Sequence, residues 1–139
     1  MNHQPNPAAP VILTIAGFDP SAGAGIAADL KTFAAHNCYG VAAITALTVQ
    51  NTQGASALYP VEALVLKQSL DCLLADDRVR AIKIGMLGNR ANAEVVAEVL
   101  AANAAQPSVL DPVVRSASGL ALVEAAGLDF MRAHLLSRV

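Results

Sequence analysis

Apolar residues along this chain follow two rhythms. Val11-Ile12-Leu13-Thr14-Ile15 is a near-continuous run and predicts a buried strand. Ile26, Leu30 and Phe33 then recur at helical spacing and predict an amphipathic helix. His36-Asn37 reads as its end, with His near the negative pole and Asn suited to a left-handed cap. Tyr39 to Leu47 is apolar without alternation, as in a parallel strand buried on both faces. A polar stretch from Thr48 to Gly54 follows, and Ala55 to Tyr59 predicts a short edge strand. Pro60 is expected to open a helix carrying Leu66, Leu70, Leu73 and Leu74. Asp76-Asp77 with Arg78 and Arg80 reads as a solvated connection.

Ala81-Ile82-Lys83-Ile84 predicts a short strand ending at Gly85-Met86-Leu87-Gly88. Asn89 is a helix N-cap candidate, and Val95, Val96, Val99 and Leu100 share one side of the helix after it. Pro107 breaks the chain, and Ser108-Val109-Leu110 predicts a strand ending at Asp111-Pro112. A loop with Ser116, Ser118 and Gly119 leads to a last helix, in one piece or in two around Gly127. That helix groups Leu128, Met131 and Leu135. Residues 1–10, polar and proline-rich, are expected to be a disordered lead-in, with 11–139 as the folded part.

Strands alternating with helices predict an α/β fold with a parallel sheet and right-handed crossovers. In such sheets ligands gather outside the carboxyl ends of the strands. The residues just past each predicted strand are Gly17 and Asp19, then Thr48, Gln50 and Asn51, then Gly85 and Met86, then Asp111. Four strands thus deliver glycines, amides, hydroxyls and carboxylates to one rim.

The stretch Ala16 to Lys31 holds Pro20 and three glycines between strand and helix. Glycines let a backbone approach a ligand, and a helix N-terminus offers unpaired N–H groups, so a small, usually anionic, ligand is expected here. Asp29 falls on the edge of the buried helical stripe. Two readings stand: an acid in the first turn favoured by the helix dipole, or a carboxylate aimed into the ligand crevice.

Composition narrows the classes. Of the 139 residues 55% are hydrophobic and 14% charged, which suits either a richly buried α/β protein or a piece with surface left for a partner. A net charge of −2 makes no electrostatic case for nucleic acid or an anionic membrane. With 4% aromatics and no Trp, base-stacking platforms are not expected. Cys38 and Cys72 form no CxxC and read as reduced cytosolic thiols, so a cytoplasmic protein is expected. No uncharged apolar run is long enough to span a bilayer.

Several motifs are tested against plainer readings. Gly23-Ala24-Gly25-Ile26-Ala27-Ala28 fits the dinucleotide pattern G-x-G-x-x-G/A. Its first glycine is too far from the strand, however, and Thr48 and Gln50 stand where the ribose-binding acid belongs, so NAD binding is disfavoured. Lys31-Thr32 follows no glycine, which excludes a conventional P-loop. Gln50 can pair with an amino group and a ring nitrogen together, or simply cap a strand end. Met86 can face a flat ring or fill the core. Asp111 can hold Mg²⁺ or a water, or fix the turn before Pro112. His3, His36 and His134 show no metal-ligand spacing.

Ala16-Gly17-Phe18-Asp19-Pro20-Ser21-Ala22-Gly23-Ala24-Gly25-Ile26-Ala27-Ala28-Asp29-Leu30-Lys31-Thr32-Phe33 closely resembles the opening motif of the hydroxymethylpyrimidine/phosphomethylpyrimidine kinases of thiamine biosynthesis. Thr45 to Thr52, Lys83 to Gly88, and Val109 to Val114 with Ser118-Gly119 are similar in the same order. The resemblance implies a ribokinase-like, three-layer αβα fold. It also implies transfer of the γ-phosphoryl of ATP, with Mg²⁺, to a pyrimidine hydroxymethyl group and then to the monophosphate. By matching position, Gln50 would recognise the aminopyrimidine edge. Gly17, Asp29, Thr48, Met86 and Val113 would line its pocket, and Asp111 would lie near metal and phosphates. Phe18 departs from a small polar residue usual there.

The family's chain continues for roughly as long again, within one α/β domain. That half would supply most of the nucleotide site, an anion hole and the catalytic cysteine or aspartate. The chain is therefore expected to be the N-terminal half of such a kinase. No catalytic residue is expected in it, and it is expected to be inactive alone, with a homodimer possible at full length. The alternatives are a non-catalytic aminopyrimidine-binding fragment and, more weakly, an NAD-binding oxidoreductase domain.

Overall fold

A computed structural model of the chain describes residues 9–76 and 78–139. The predicted lead-in through residue 8, His3 and Asp77 lie outside the described residues. The elements run β1 (Val11–Phe18), α1 (Gly25–Ala35), β2 (Tyr39–Asn51), β3 (Gly54–Pro60), α2 (Ala63–Leu74), β4 (Val79–Ile84), α3 (Arg90–Ala102), β5 (Ser108–Leu110) and α4 (Ala125–His134).

The five strands form one sheet in the order β3-β2-β1-β4-β5. β1 pairs in parallel with β2 and β4, and β4 with β5, while β3 runs antiparallel to β2. The expected parallel sheet thus carries one antiparallel edge strand. Asn51 makes that hairpin: its Oδ1 accepts the N–H groups of Gln53 at 2.9 Å and Gly54 at 3.2 Å.

Chain direction sets the layers. The crossover from β1 to β2 moves one way along the sheet, and the return to β4 moves the other way. Right-handed connections therefore place α1 on one face and α2 and α3 on the opposite face, where α4 packs against α3. Leu13 and Ile15 of β1 point into the core with Leu66, Leu70, Ile82, Ile84, Leu87 and Val96. Thr14 points the other way, under α1. Leu30 and Phe33 of α1 press on β2 at Gly40, where a Cβ would stand 2.5 Å from Leu30 Cδ2.

Three expectations need correction, and the open choice between one last helix and two is decided. β2 runs through Thr48-Val49-Gln50-Asn51, because those residues have β3 as a ladder partner. Pro60 ends β3 instead of opening a helix; α2 begins at Ala63 after Glu62. β2 is not buried on both faces, since Ile44 is 37% and Leu47 49% exposed. A single helix on that side cannot cover the strand's whole length. The last helix is one piece, with Gly127 buried inside it because a side chain there would press on Val123 and Arg90. Met131 and Leu135 are fully buried and Leu128 is half-buried.

Two local signals behave as the residue chemistry dictates. Asn37 adopts φ 57° after α1, and Asn89 Oδ1 accepts the N–H of Asn92 at 2.9 Å as an N-cap. Asn92 itself is fully buried and donates Nδ2 to the carbonyls of Thr45 (3.0 Å) and Leu87 (3.2 Å). Thr45 Oγ1 donates to the carbonyl of Met86 at 2.6 Å. These bonds fasten the β4–α3 turn to β2. Asn92→Ala is expected to lower unfolding free energy by about 1–2 kcal/mol, because two buried hydrogen bonds and the side chain's packing are lost, although the Thr45 and Leu87 carbonyls each keep a backbone donor, from Val61 and Asn89. Urea denaturation would show this as an earlier midpoint at unchanged slope, and an unchanged midpoint would contradict it.

Candidate functional site

The rim at the strand carboxyl ends encloses a cavity of about 240 Å³. β1 contributes Ala16, Gly17 and Phe18; β2 contributes Thr48 and Gln50; β4 and the turn after it contribute Lys83, Gly85 and Met86. Asp111 and Val113 come from beyond β5, Asp29 from α1, and Asp19 from the loop before it. All seven candidate residues named from the sequence, Gly17, Asp29, Thr48, Gln50, Met86, Asp111 and Val113, therefore line one hollow. Asn51 does not line it, being used by the β2–β3 turn.

Asp19 organises the glycine loop. Its Oδ1 accepts the Ser21 N–H at 2.8 Å and the Ser21 hydroxyl at 2.7 Å. Its Oδ2 accepts the N–H groups of Gly23 at 3.1 Å and Ala24 at 3.0 Å. Burial alone would raise its pKa, but the bonds from the Ser21 hydroxyl and the three amides outweigh that and hold the carboxyl below its ordinary value of 3.8. The loop was expected to offer free amides to an anionic ligand. Three of them are instead taken by a carboxylate of the chain itself. The loop closes on β1 so tightly that a Cβ at Gly25, where φ is 57°, would collide with the Gly17 carbonyl.

Asp29 lies in the second turn of α1, past the reach of the helix dipole, so the first-turn reading fails. Its Oδ2 accepts the Thr14 hydroxyl at 2.6 Å and the Lys83 ammonium at 2.9 Å. The ion pair is largely enclosed, with side-chain exposures of 21% for Lys83 and 17% for Asp29. Met86 covers Gly17, at which any Cβ would meet the Met86 methyl. Thr48 Oγ1 donates to the Phe18 carbonyl at 2.9 Å, holding β2 to the end of β1 beside Gln50. Asp111 is exposed at the rim, and its backbone N–H donates to the Ile84 carbonyl at 2.8 Å. Ser118 does not face the hollow; its hydroxyl accepts the Ala55 N–H at 3.2 Å and ties the following loop to the hairpin.

Sequence reasoning passed over Lys83 and the role of Asp19. The signal for Lys83 was present: a lone cation between two isoleucines of a buried strand needs a partner. His36 and His134 are exposed, and no cluster of three or more His, Cys, Asp or Glu suited to a metal occurs among the described residues. Cys38 and Cys72 are free. No helix of the described residues is long and apolar enough to cross a membrane.

An open, mostly parallel sheet with a small, largely apolar hollow carrying a few polar groups at the strand ends defines an α/β protein of ribokinase-like fold. The chain belongs to the phosphomethylpyrimidine kinase family, whose profile matches residues 19–139. A hydroxymethylpyrimidine/phosphomethylpyrimidine kinase of Aquifex aeolicus is 44% identical over 129 residues, 93% of this chain and 51% of that protein. The crystal structure of phosphomethylpyrimidine kinase from Clostridium difficile 630 superposes with a TM-score of 0.80 at 39% identity, covering 90% of this chain and 54% of that one. Pyridoxal kinase from Staphylococcus aureus, in complex with AMP-PCP and pyridoxal, gives a TM-score of 0.76 at 37% identity, covering 93% and 45%. The chain spans about half the length of the curated relatives it matches.

The bonds around Asp19 have a measurable consequence. A carboxyl whose folded pKa is depressed contributes stability that is present above its unfolded pKa and lost as pH falls through the folded value. Asp19→Ala is expected to cost about 1.5–3 kcal/mol near pH 7. The gap from wild type should narrow below about pH 4, because the wild-type carboxylate is then being protonated. Urea melts of both proteins at neutral and acid pH would measure it, and a gap independent of pH would contradict it.

Proposed function

We propose that this chain is the substrate-binding half of a kinase that phosphorylates 4-amino-5-hydroxymethyl-2-methylpyrimidine and then its monophosphate, using ATP and Mg²⁺, in thiamine biosynthesis. The observation that carries this reading is that every substrate-site residue implied by the family motifs lines a single cavity of about 240 Å³. That volume is below the roughly 300–1,000 Å³ of drug-sized pockets and suits one substituted ring.

Gln50 offers both an amide donor and an acceptor to the aminopyrimidine edge. Asp29, which lines the hollow, keeps one oxygen, Oδ1, without a partner among the described residues, an acceptor available to the ligand. Met86, lying on Gly17, gives the ring a flat apolar wall, with Val113 beside it. Thr48 steadies the Gln50 end of β2. Asp111 fits as a magnesium ligand: Mg²⁺ is usually held by one or two carboxylates together with substrate phosphates, and Asp111 is a solitary exposed carboxylate on the rim. Magnesium-ATP, when bound, would supply the phosphoryl group and neutralise its charge.

The reading makes the chain a pyrimidine binder that does not turn over, since phosphoryl transfer depends on positioning and charge stabilisation around the nucleotide. Its full-length setting is a cytoplasmic enzyme, homodimeric, with a small molecule and no nucleic acid as partner. Pyridoxal is the second candidate, because pyridoxal kinases stand among the structural neighbours at 37% identity.

Calorimetry with hydroxymethylpyrimidine and with pyridoxal tests the reading, alongside an ATP-dependent phosphorylation assay. The pyrimidine is expected to bind the tighter of the two, with no turnover by the chain alone. Gln50→Ala is expected to weaken pyrimidine binding by about 1.4–2.7 kcal/mol, roughly ten- to a hundredfold. Absence of pyrimidine binding would sink the proposal, and clear turnover would sink its non-catalytic part.

A further inference from the structure

Lys83 is an unexpected residue in this cavity. It stands on β4 opposite Thr14 of β1, and both side chains converge on the same oxygen of Asp29. Oδ2 therefore receives two donors, from a hydroxyl and an ammonium, while Oδ1 has no partner among the described residues. The backbone leaves room for this arrangement: a Cβ at Gly85 would stand 3.0 Å from Lys83 Nζ. Asp29 is also the acid whose charge matters most inside the hollow. Asp19 is spent on its own loop, and Asp111 is exposed, where water screens it.

The geometry points to Lys83 as a positioning and specificity-determining residue that cancels the charge of Asp29, so that the cavity accepts a neutral N–H or O–H donor and does not select a cation. An unpaired, largely enclosed carboxylate would do the opposite and draw an amine or amidine cation to itself. With Lys83 in place, Oδ1 remains a strong acceptor of fixed direction, but the pair as a whole is neutral. The pyrimidine arm of the test rests on the function proposed above; the charge argument stands on the cavity alone.

Two ligands of matching shape and different charge separate the cases: benzamide and benzamidinium, measured by calorimetry at about pH 8 beside hydroxymethylpyrimidine. The wild-type chain is expected to bind benzamidinium no better than benzamide. Lys83→Met is expected to shift that ratio at least tenfold toward benzamidinium and to weaken hydroxymethylpyrimidine about tenfold or more. Lys83→Arg, which keeps the cation, should restore the wild-type preference. A Lys83→Met protein that folds by circular dichroism and keeps the wild-type ratio overturns the inference. So does a wild-type chain that prefers benzamidinium tenfold, a measurement that stands even if the variant fails to fold. If the wild type binds no pyrimidine, the functional proposal fails while the benzamide pair still decides the role of Lys83.

Discussion

The geometry of the hollow depends on one carboxylate that the chain wraps around itself. Asp19 sits where β1 gives way to the loop, and its four hydrogen bonds replace those that an external anion would make to a glycine-rich turn. Those bonds hold Ala22 in a left-handed conformation, φ 58°, at an intrinsic cost of about 1–2 kcal/mol. They also bring Gly25 against the Gly17 carbonyl and so fix where α1 begins. From that start, the second turn of the helix carries Asp29 over Thr14 and Lys83. The loop so bonded forms one wall of the hollow.

The sheet order does the rest. β1 is central, and the chain leaves it toward β2 on one side and returns to β4 on the other. The crossovers on opposite faces part at the carboxyl end of β1, which is where such sheets open a crevice. Gly17, Gly85 and Met86 meet there because β1 and β4 are neighbours in the sheet, although far apart in the chain.

Much of this was legible in the sequence, for definite reasons. Long apolar runs without alternation marked β1 and the first part of β2, and helical spacing marked α2 and α3. The rim residues followed from strand ends alone, because the parallel topology gathers those ends at one place. The hairpin was read less well. Thr48 to Asn51 look like a loop, yet they are strand because β3 supplies hydrogen-bond partners from across the turn. Pro60 looks like a helix start, yet it closes β3, an edge position where a missing N–H is tolerated. The Asp29–Lys83 pair joins residues 54 positions apart, and no local pattern states which cation an acid will meet.

The contact between Gly17 and Met86 reaches beyond this one chain. With the thioether resting on a bare backbone, neither position is free to change by itself: a methyl group at the first would displace the second within the hollow. Across descendants of this scaffold the two sites should vary as a couple, a bulkier residue on β1 accompanied by a shorter one after β4. That exchange would reshape the floor of the hollow while leaving its hydrogen-bonding wall intact, giving the fold a simple route to hollows of different breadth.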